Sequence, residues 1–128
     1  MAKAKILIVD DDEAIRNSMK EALVLEGYEV VLAQDGAEGL AAMLNQHPDL
    51  IVADVEMPRL DGMSMLKEIR KAGEYGKRIP VIILTNYDTN EKTIQGIVDD
   101  EPSYYLIKSR VNPAVIIEKV KEKLGPVS

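Results

Sequence analysis

Short apolar runs alternate along this chain with stretches in which apolar residues return every three or four positions. The runs are Lys5–Val9, Glu29–Ala33, Asp49–Ala53, Ile79–Leu84 and Tyr104–Ile107. Runs of this length bounded by turn residues predict strands, and the near-continuous apolar character of the first and fourth predicts burial on both faces. Between them lie segments of helical period. From Glu13 to about Glu26, Ile15, Met19, Ala22 and Leu23 share one face, and Gly27 ends the helix. Asp35-Gly36 turns the chain into a second helix carrying Ala37, Leu40, Ala41 and Leu44, closed by His47-Pro48. After a loop over Met57 to Gly62, Met63, Leu66 and Ile69 predict a third helix stopping near Gly73. A fourth helix from Thr89 to about Val98 is expected to be short and weakly amphipathic, since Gly96 lowers its propensity. Asn112 and Pro113 read as an N-cap and first helical residue of the last helix, lined by Ile116, Ile117, Val120 and Leu124 and ended by Gly125-Pro126. Five strands each followed by a helix predict an α/β domain with a parallel sheet covered on both faces.

Three of these runs stop on a charge: ILIV on Asp10, DLIVA on Asp54 and YYLI on Lys108. In an open parallel sheet the carboxyl ends of the strands form the ligand crevice, so Asp10, Asp54, Thr85 and Lys108 are expected at one edge. Asp11 and Asp12 extend the acidic supply. Crowded carboxylates repel and call for a cation, and oxygen donors in this number suit Mg²⁺. Each residue also has a plainer explanation. The Asp10–Asp12 cluster can complement the dipole of the first helix, and at least one of the three is expected to cap it. Asp54 can close a buried strand, Lys108 can snorkel from a strand end, and threonine is ordinary where Thr85 stands. Tyr105 falls on the strand face opposite Lys108 and can be simple packing. Pro58 to Gly62 is explained as turn chemistry, and His47, at a helix end before proline, is not expected to be a ligand.

Composition narrows the setting. The 128 residues are 46% apolar and 30% charged, a globular balance with length for one domain. Phe and Trp are absent, so the core must be aliphatic. Sixteen Lys and Arg against 22 Asp and Glu, net −6, argue against a nucleic-acid or anionic-membrane surface. The absence of cysteine excludes a disulfide framework, a thiolate nucleophile and Cys-ligated metal. The apolar stretch before Asp10 is too short for a signal peptide, and nothing approaches the ~18 apolar residues of a membrane span. A cytoplasmic setting is expected.

Taken together, ILIVDDD, DLIVADVEMPRLDG, VIILTN and YYLIKS, in this order and at these intervals, resemble the receiver domain of two-component response regulators. The resemblance runs from Ala4 to about Leu124, within a single domain spanning 1–128. It implies a doubly wound, flavodoxin-like (βα)₅ fold with strand order 2-1-3-4-5. It also implies Asp54 as phosphoacceptor, and Asp10 and Asp11 as the acidic pair that holds Mg²⁺, completed by Asp54 and the Glu56 backbone carbonyl. Lys108 would contact the phosphoryl group, Thr85 would be the switch hydroxyl and Tyr105 the switch aromatic. The implied partners are a histidine kinase or histidine phosphotransfer protein and a downstream protein or output domain. A homodimer face would use the fourth helix, fifth strand and fifth helix. Phosphoryl chemistry of this kind would be intrinsic to a signalling domain rather than the work of an enzyme.

Three positions depart from the family pattern. Ser109 follows Lys108 where proline is usual, and a cis bond before serine costs about 2.5–4 kcal/mol against under ~1 before proline, which favours a trans bond here. Asn86 stands where alanine or glycine is common, which narrows access to the acceptor. GIVDDEPSYYL replaces the usual GADDYL before the last strand. Glu56 and Tyr87 occupy variable positions that influence dephosphorylation. Two alternatives remain at this point: a degenerate receiver that binds partners without phosphorylation, and a haloacid-dehalogenase-like phosphotransferase. The latter wants an Asp-x-Asp pair after its first strand, where this chain has contiguous acids.

Overall fold

The computed structural model describes residues 4–54, 62–85, 104–107 and 112–124, with residues 62, 63, 85 and 104–107 described by backbone alone. In chain order the elements are β1 Lys5–Val9, α1 Glu13–Leu25, β2 Glu29–Ala33, α2 Gly36–Gln46, β3 Leu50–Asp54, α3 Gly62–Arg70, α4 Gly73–Arg78, β4 Val81–Thr85, β5 Tyr104–Ile107 and α5 Pro113–Leu124. The strands form one sheet in the order β2-β1-β3-β4-β5, and every neighbouring pair is parallel. This is the doubly wound, flavodoxin-like arrangement expected from the strand–helix alternation.

Strand periodicity divides the core in two. Leu7, Val9, Ile51, Ala53, Val81 and Ile83 face one way and pack with Met43 of α2 and Met65, Leu66 and Ile69 of α3. Ile6, Ile8, Leu50, Val52, Ile82 and Leu84 face the other way, against Met19 and Leu23 of α1 and Ile116 and Val120 of α5. Because β1, β3 and β4 are buried on both sides, polar alternation is absent from their sequences. Burying each aliphatic side chain stabilises the fold by roughly 1.5–3 kcal/mol relative to exposure. Gly39 lets α2 lie close on β1, since a Cβ there would sit 2.8 Å from Val9 Cγ2 and 2.9 Å from Met65 Sδ.

Helix ends follow the capping residues. Asp12 caps α1, its side chain accepting from the N–H groups of Ala14 and Ile15 at 2.9 and 3.2 Å, and Gly27 leaves the helix at φ 98°. Asp35 caps α2 through the Glu38 N–H at 2.8 Å. That helix closes on His47 at φ 48°, a left-handed position where glycine or asparagine is the usual residue.

Between α3 and β4 the structure departs from expectation. The third helix ends at Arg70, not near Gly73, and Gly73–Arg78 forms a separate short helix, α4. The Arg70 guanidinium makes this possible by donating to the carbonyls of Gly76 and Ile79 at 2.9 and 2.8 Å, supplying acceptors at a helix end with donors they would otherwise lack. Gly76 is required because a Cβ there would run into the Ile69 backbone carbonyl. Strand β4 starts at Val81, two residues later than its apolar run suggests. Pro80 has no N–H to give the ladder, and the Ile79 N–H is taken by the Tyr75 carbonyl at 3.0 Å. The helix expected over 89–98 lies outside the described residues.

Candidate functional site

Asp10 and Asp54 are brought together by register. Val9 pairs with Ala53 across β1 and β3, so the next residue of each chain segment meets at the carboxyl edge of the sheet. Both continue the strand stripes of Ile6, Ile8 and Leu50, Val52, on the side covered by α1 and α5. Strand β3 extends one residue further than its apolar run, so Asp54 is its last residue. Asp10 is wholly buried and Asp54 is 5% exposed, which is uncommon for carboxylates unless they have partners.

The turn from β1 to α1 is tied down along its length. The Asp10 N–H donates to the Ala33 carbonyl at 3.1 Å, and the Asp12 N–H donates to Asp10 Oδ1 at 2.9 Å. Arg16 Nη1 donates to the Asp10 backbone carbonyl at 2.8 Å. Asp11, between these fixed points, is exposed. One carboxylate oxygen each from Asp10, Asp11 and Asp54 lies within 4.8 Å of the others. Such a set is all hard oxygen, with no imidazole or thiolate, and its chemistry fits Mg²⁺ or a similar hard cation. Asp12 stands apart from it as the cap of α1.

The other expected residues fall as follows. Thr85 is the last residue of β4, next in sequence to Leu84, which pairs with Asp54. Tyr105 lies on β5 and pairs with Ile83. Glu56, Lys108, Asn86, Tyr87 and Ser109 lie outside the described residues, as does the bond between Lys108 and Ser109. His47 is remote from the acids by element order, its ring tilted at 41° against Tyr75 with ring centroids 4.8 Å apart. Arg16 is not among the residues expected at the site from the sequence. Its signal was an arginine early in the helix that directly follows an acidic run.

The family model for the response regulator receiver domain matches residues 6–121. The chain belongs to this family. Among curated relatives, the response regulator MprA of Mycobacterium sp. (strain KMS) is 42% identical over 93 residues, covering 73% of this chain and 39% of that protein. The chain thus spans about two fifths of the length of the curated relatives it matches. Among solved structures, chemotaxis protein CheY4 of Vibrio cholerae has a TM-score of 0.85 at 32% identity, covering 96% of this chain and all of that one. A CheY-like receiver domain protein from Methanospirillum hungatei has a TM-score of 0.87 at 35% identity, covering 96% of this chain and 94% of its own. The chain is therefore a receiver domain of two-component signalling, a signalling module and not an enzyme of the usual kind. Response regulators work with histidine kinases and output domains, and neither the haloacid-dehalogenase alternative nor the degenerate receiver is favoured. No helix among the described residues is long and apolar enough to cross a membrane.

Proposed function

We propose that this receiver, a single domain over residues 1–128, accepts a phosphoryl group on Asp54 and uses Mg²⁺ to do so. The observation that carries the reading is the convergence of the Asp10, Asp11 and Asp54 carboxylates at the carboxyl ends of β1 and β3. Their side chains and the Glu56 backbone carbonyl would hold the ion. Bound there, Mg²⁺ supplies positive charge to the acidic cluster and to phosphoryl oxygens. Asp54 is the nucleophile: a carboxylate oxygen bonds to phosphorus as the bond from phosphorus to the donor's histidine nitrogen breaks. The electron pair leaves with the imidazole, which takes up a proton. Carboxylate nucleophiles that form aspartyl phosphates are an established covalent strategy, and positioning supplies most of the catalysis in such transfers.

Lys108 neutralises phosphoryl oxygens in this scheme. The Thr85 hydroxyl moves toward the new phosphoryl group, and Tyr105 turns into the space it vacates. The switched surface is that of the segment 89–98, β5 and α5, which contacts an output partner or a second copy of the chain. The phosphoryl donor is a histidine kinase or histidine phosphotransfer protein, in the cytoplasm. Hydrolysis of the aspartyl phosphate in the same site resets the switch.

Intact mass after treatment with acetyl phosphate tests the reading, with and without Mg²⁺, on wild type and Asp54→Asn. The expected result is one phosphoryl group added to wild type only when Mg²⁺ is present, and none added to the variant. An unmodified wild-type protein would overturn it.

A further inference from the structure

We infer that Arg16 is a positioning residue for the metal-holding edge: its hydrogen bond to the Asp10 carbonyl sets the backbone from which Asp10 and Asp11 present their carboxylates. The inference rests on the Mg²⁺ reading above. Three consecutive peptide planes meet at this turn, and each plane is rigid. The first is held where the Asp10 N–H meets the Ala33 carbonyl at 3.1 Å. The third is held where the Asp12 N–H meets Asp10 Oδ1 at 2.9 Å. The middle plane joins Asp10 to Asp11, and the Arg16 guanidinium fastens it at the Asp10 oxygen at 2.8 Å. That plane fixes the direction in which the Asp11 side chain leaves the backbone. Asp11 is the exposed member of the three carboxylates, without the surrounding protein that confines Asp10 and Asp54.

The residue type fits the task. Arginine has a planar fork with five donors and stays charged, and a hydrogen bond from a charged donor is stronger than a neutral one. Arg16 is half-buried and lines a cleft at the end of β2 together with Leu32, Ala33, Gln34 and the acidic Glu13 and Glu38. Its charge acts in the opposite sense, because a guanidinium near a cation weakens that cation's binding. The two roles therefore predict opposite signs for removal. Loss of the hydrogen bond weakens Mg²⁺ binding, whereas loss of the charge alone would tighten it.

Isothermal titration with Mg²⁺ alone, on wild type, Arg16→Met, Arg16→Lys and Asp54→Asn, decides the matter. In Arg16→Met the dissociation constant is expected to rise about fivefold or more, as for loss of a charge-assisted hydrogen bond. Arg16→Lys keeps a donor at shorter reach and should fall between Arg16→Met and wild type. The rise in melting temperature on adding Mg²⁺ should shrink in Arg16→Met, whereas a purely structural role would lower the melting temperature equally with and without the ion. Unchanged or tighter binding in Arg16→Met, with wild type binding Mg²⁺ and Asp54→Asn losing it, overturns the role of Arg16 and leaves the metal site standing. Absence of Mg²⁺ binding in wild type overturns both. Should Arg16→Met not fold, Arg16→Lys carries the same comparison.

Discussion

Replacing Asp10 by asparagine should make the metal-free protein more stable while abolishing its response to Mg²⁺. The three carboxylates have oxygens within 4.8 Å of one another, and at that separation two unit charges in a medium of effective dielectric constant ~20 repel by about 3.5 kcal/mol. Screening and other partners reduce that figure here. Asp11 is exposed to screening water, and Asp10 and Asp54 both have further polar or electrostatic partners. A net relief of about 1–2 kcal/mol is the reasonable remainder. Asparagine is isosteric and keeps the oxygen that accepts the Asp12 N–H, so the cap of α1 stays in place. For a chain of this length the gain corresponds to a rise of roughly 3–7 °C in melting temperature. Mg²⁺ at about tenfold its dissociation constant should stabilise wild type by about 1.4 kcal/mol and leave Asp10→Asn unmoved. Thermal melts followed by circular dichroism, with Mg²⁺ and with chelator, measure both effects. A lower melting temperature in the chelated variant, or a retained Mg²⁺ increment, would refute the claim that Asp10 stores repulsion for a cation to relieve.

The remaining predictions concern the frame. Gly76→Ala should cost about 2–3 kcal/mol, because its Cβ meets the Ile69 backbone, and Gly39→Ala about 1 kcal/mol, because Val9 and Met65 side chains can yield; urea unfolding ranks the two. Tyr28→Phe should stabilise by about 1 kcal/mol, since the hydroxyl is buried with no hydrogen-bond partner among the described residues; a loss of stability in the same unfolding assay would show that the hydroxyl is bonded. Burial, with Asp49 adding to it, raises the Tyr75 phenol from 10.0 to about 12. The neutral form donates to the Pro48 carbonyl, so its contribution is complete below pH 10, declines as pH rises through about 12, and should be missing at all pH values in Tyr75→Phe; melts across this range and ultraviolet titration of the phenol test both statements.

Much of this molecule is written in its periodicities. Strands β1, β2 and β5 coincide with their apolar runs, and the charges that end the runs of β1 and β3 mark the site before any geometry is known. What the sequence conceals is set by tertiary contact. Nothing local in GEYGKR announces a helix, since two glycines weaken it; the Arg70 guanidinium and the close approach to Ile69 create it. The left-handed turn at His47 is equally silent, because histidine is not the residue such a position advertises. Of the three contiguous acids, composition alone cannot divide labour. Register sends Asp10 toward Asp54, while the helix that follows claims Asp12 as its cap. Arg16 lay hidden for the same reason, since its partner is a backbone carbonyl and carries no side-chain signature.

The contrast between two buried carboxylates and one exposed one has a kinetic consequence. Asp10 and Asp54 are buried at the sheet's edge, where packed surroundings restrict the rotamers open to their side chains. Asp11 faces solvent, and its side chain can swing on the timescale of an exposed rotamer, picoseconds to nanoseconds. A hard cation held by this set, as proposed, would enter and leave past one hinged ligand while the rest of the frame stays still. Its residence time is then governed by how reluctantly the ion sheds and regains water, which makes loading a property of the ion's hydration chemistry and not of the protein's breathing.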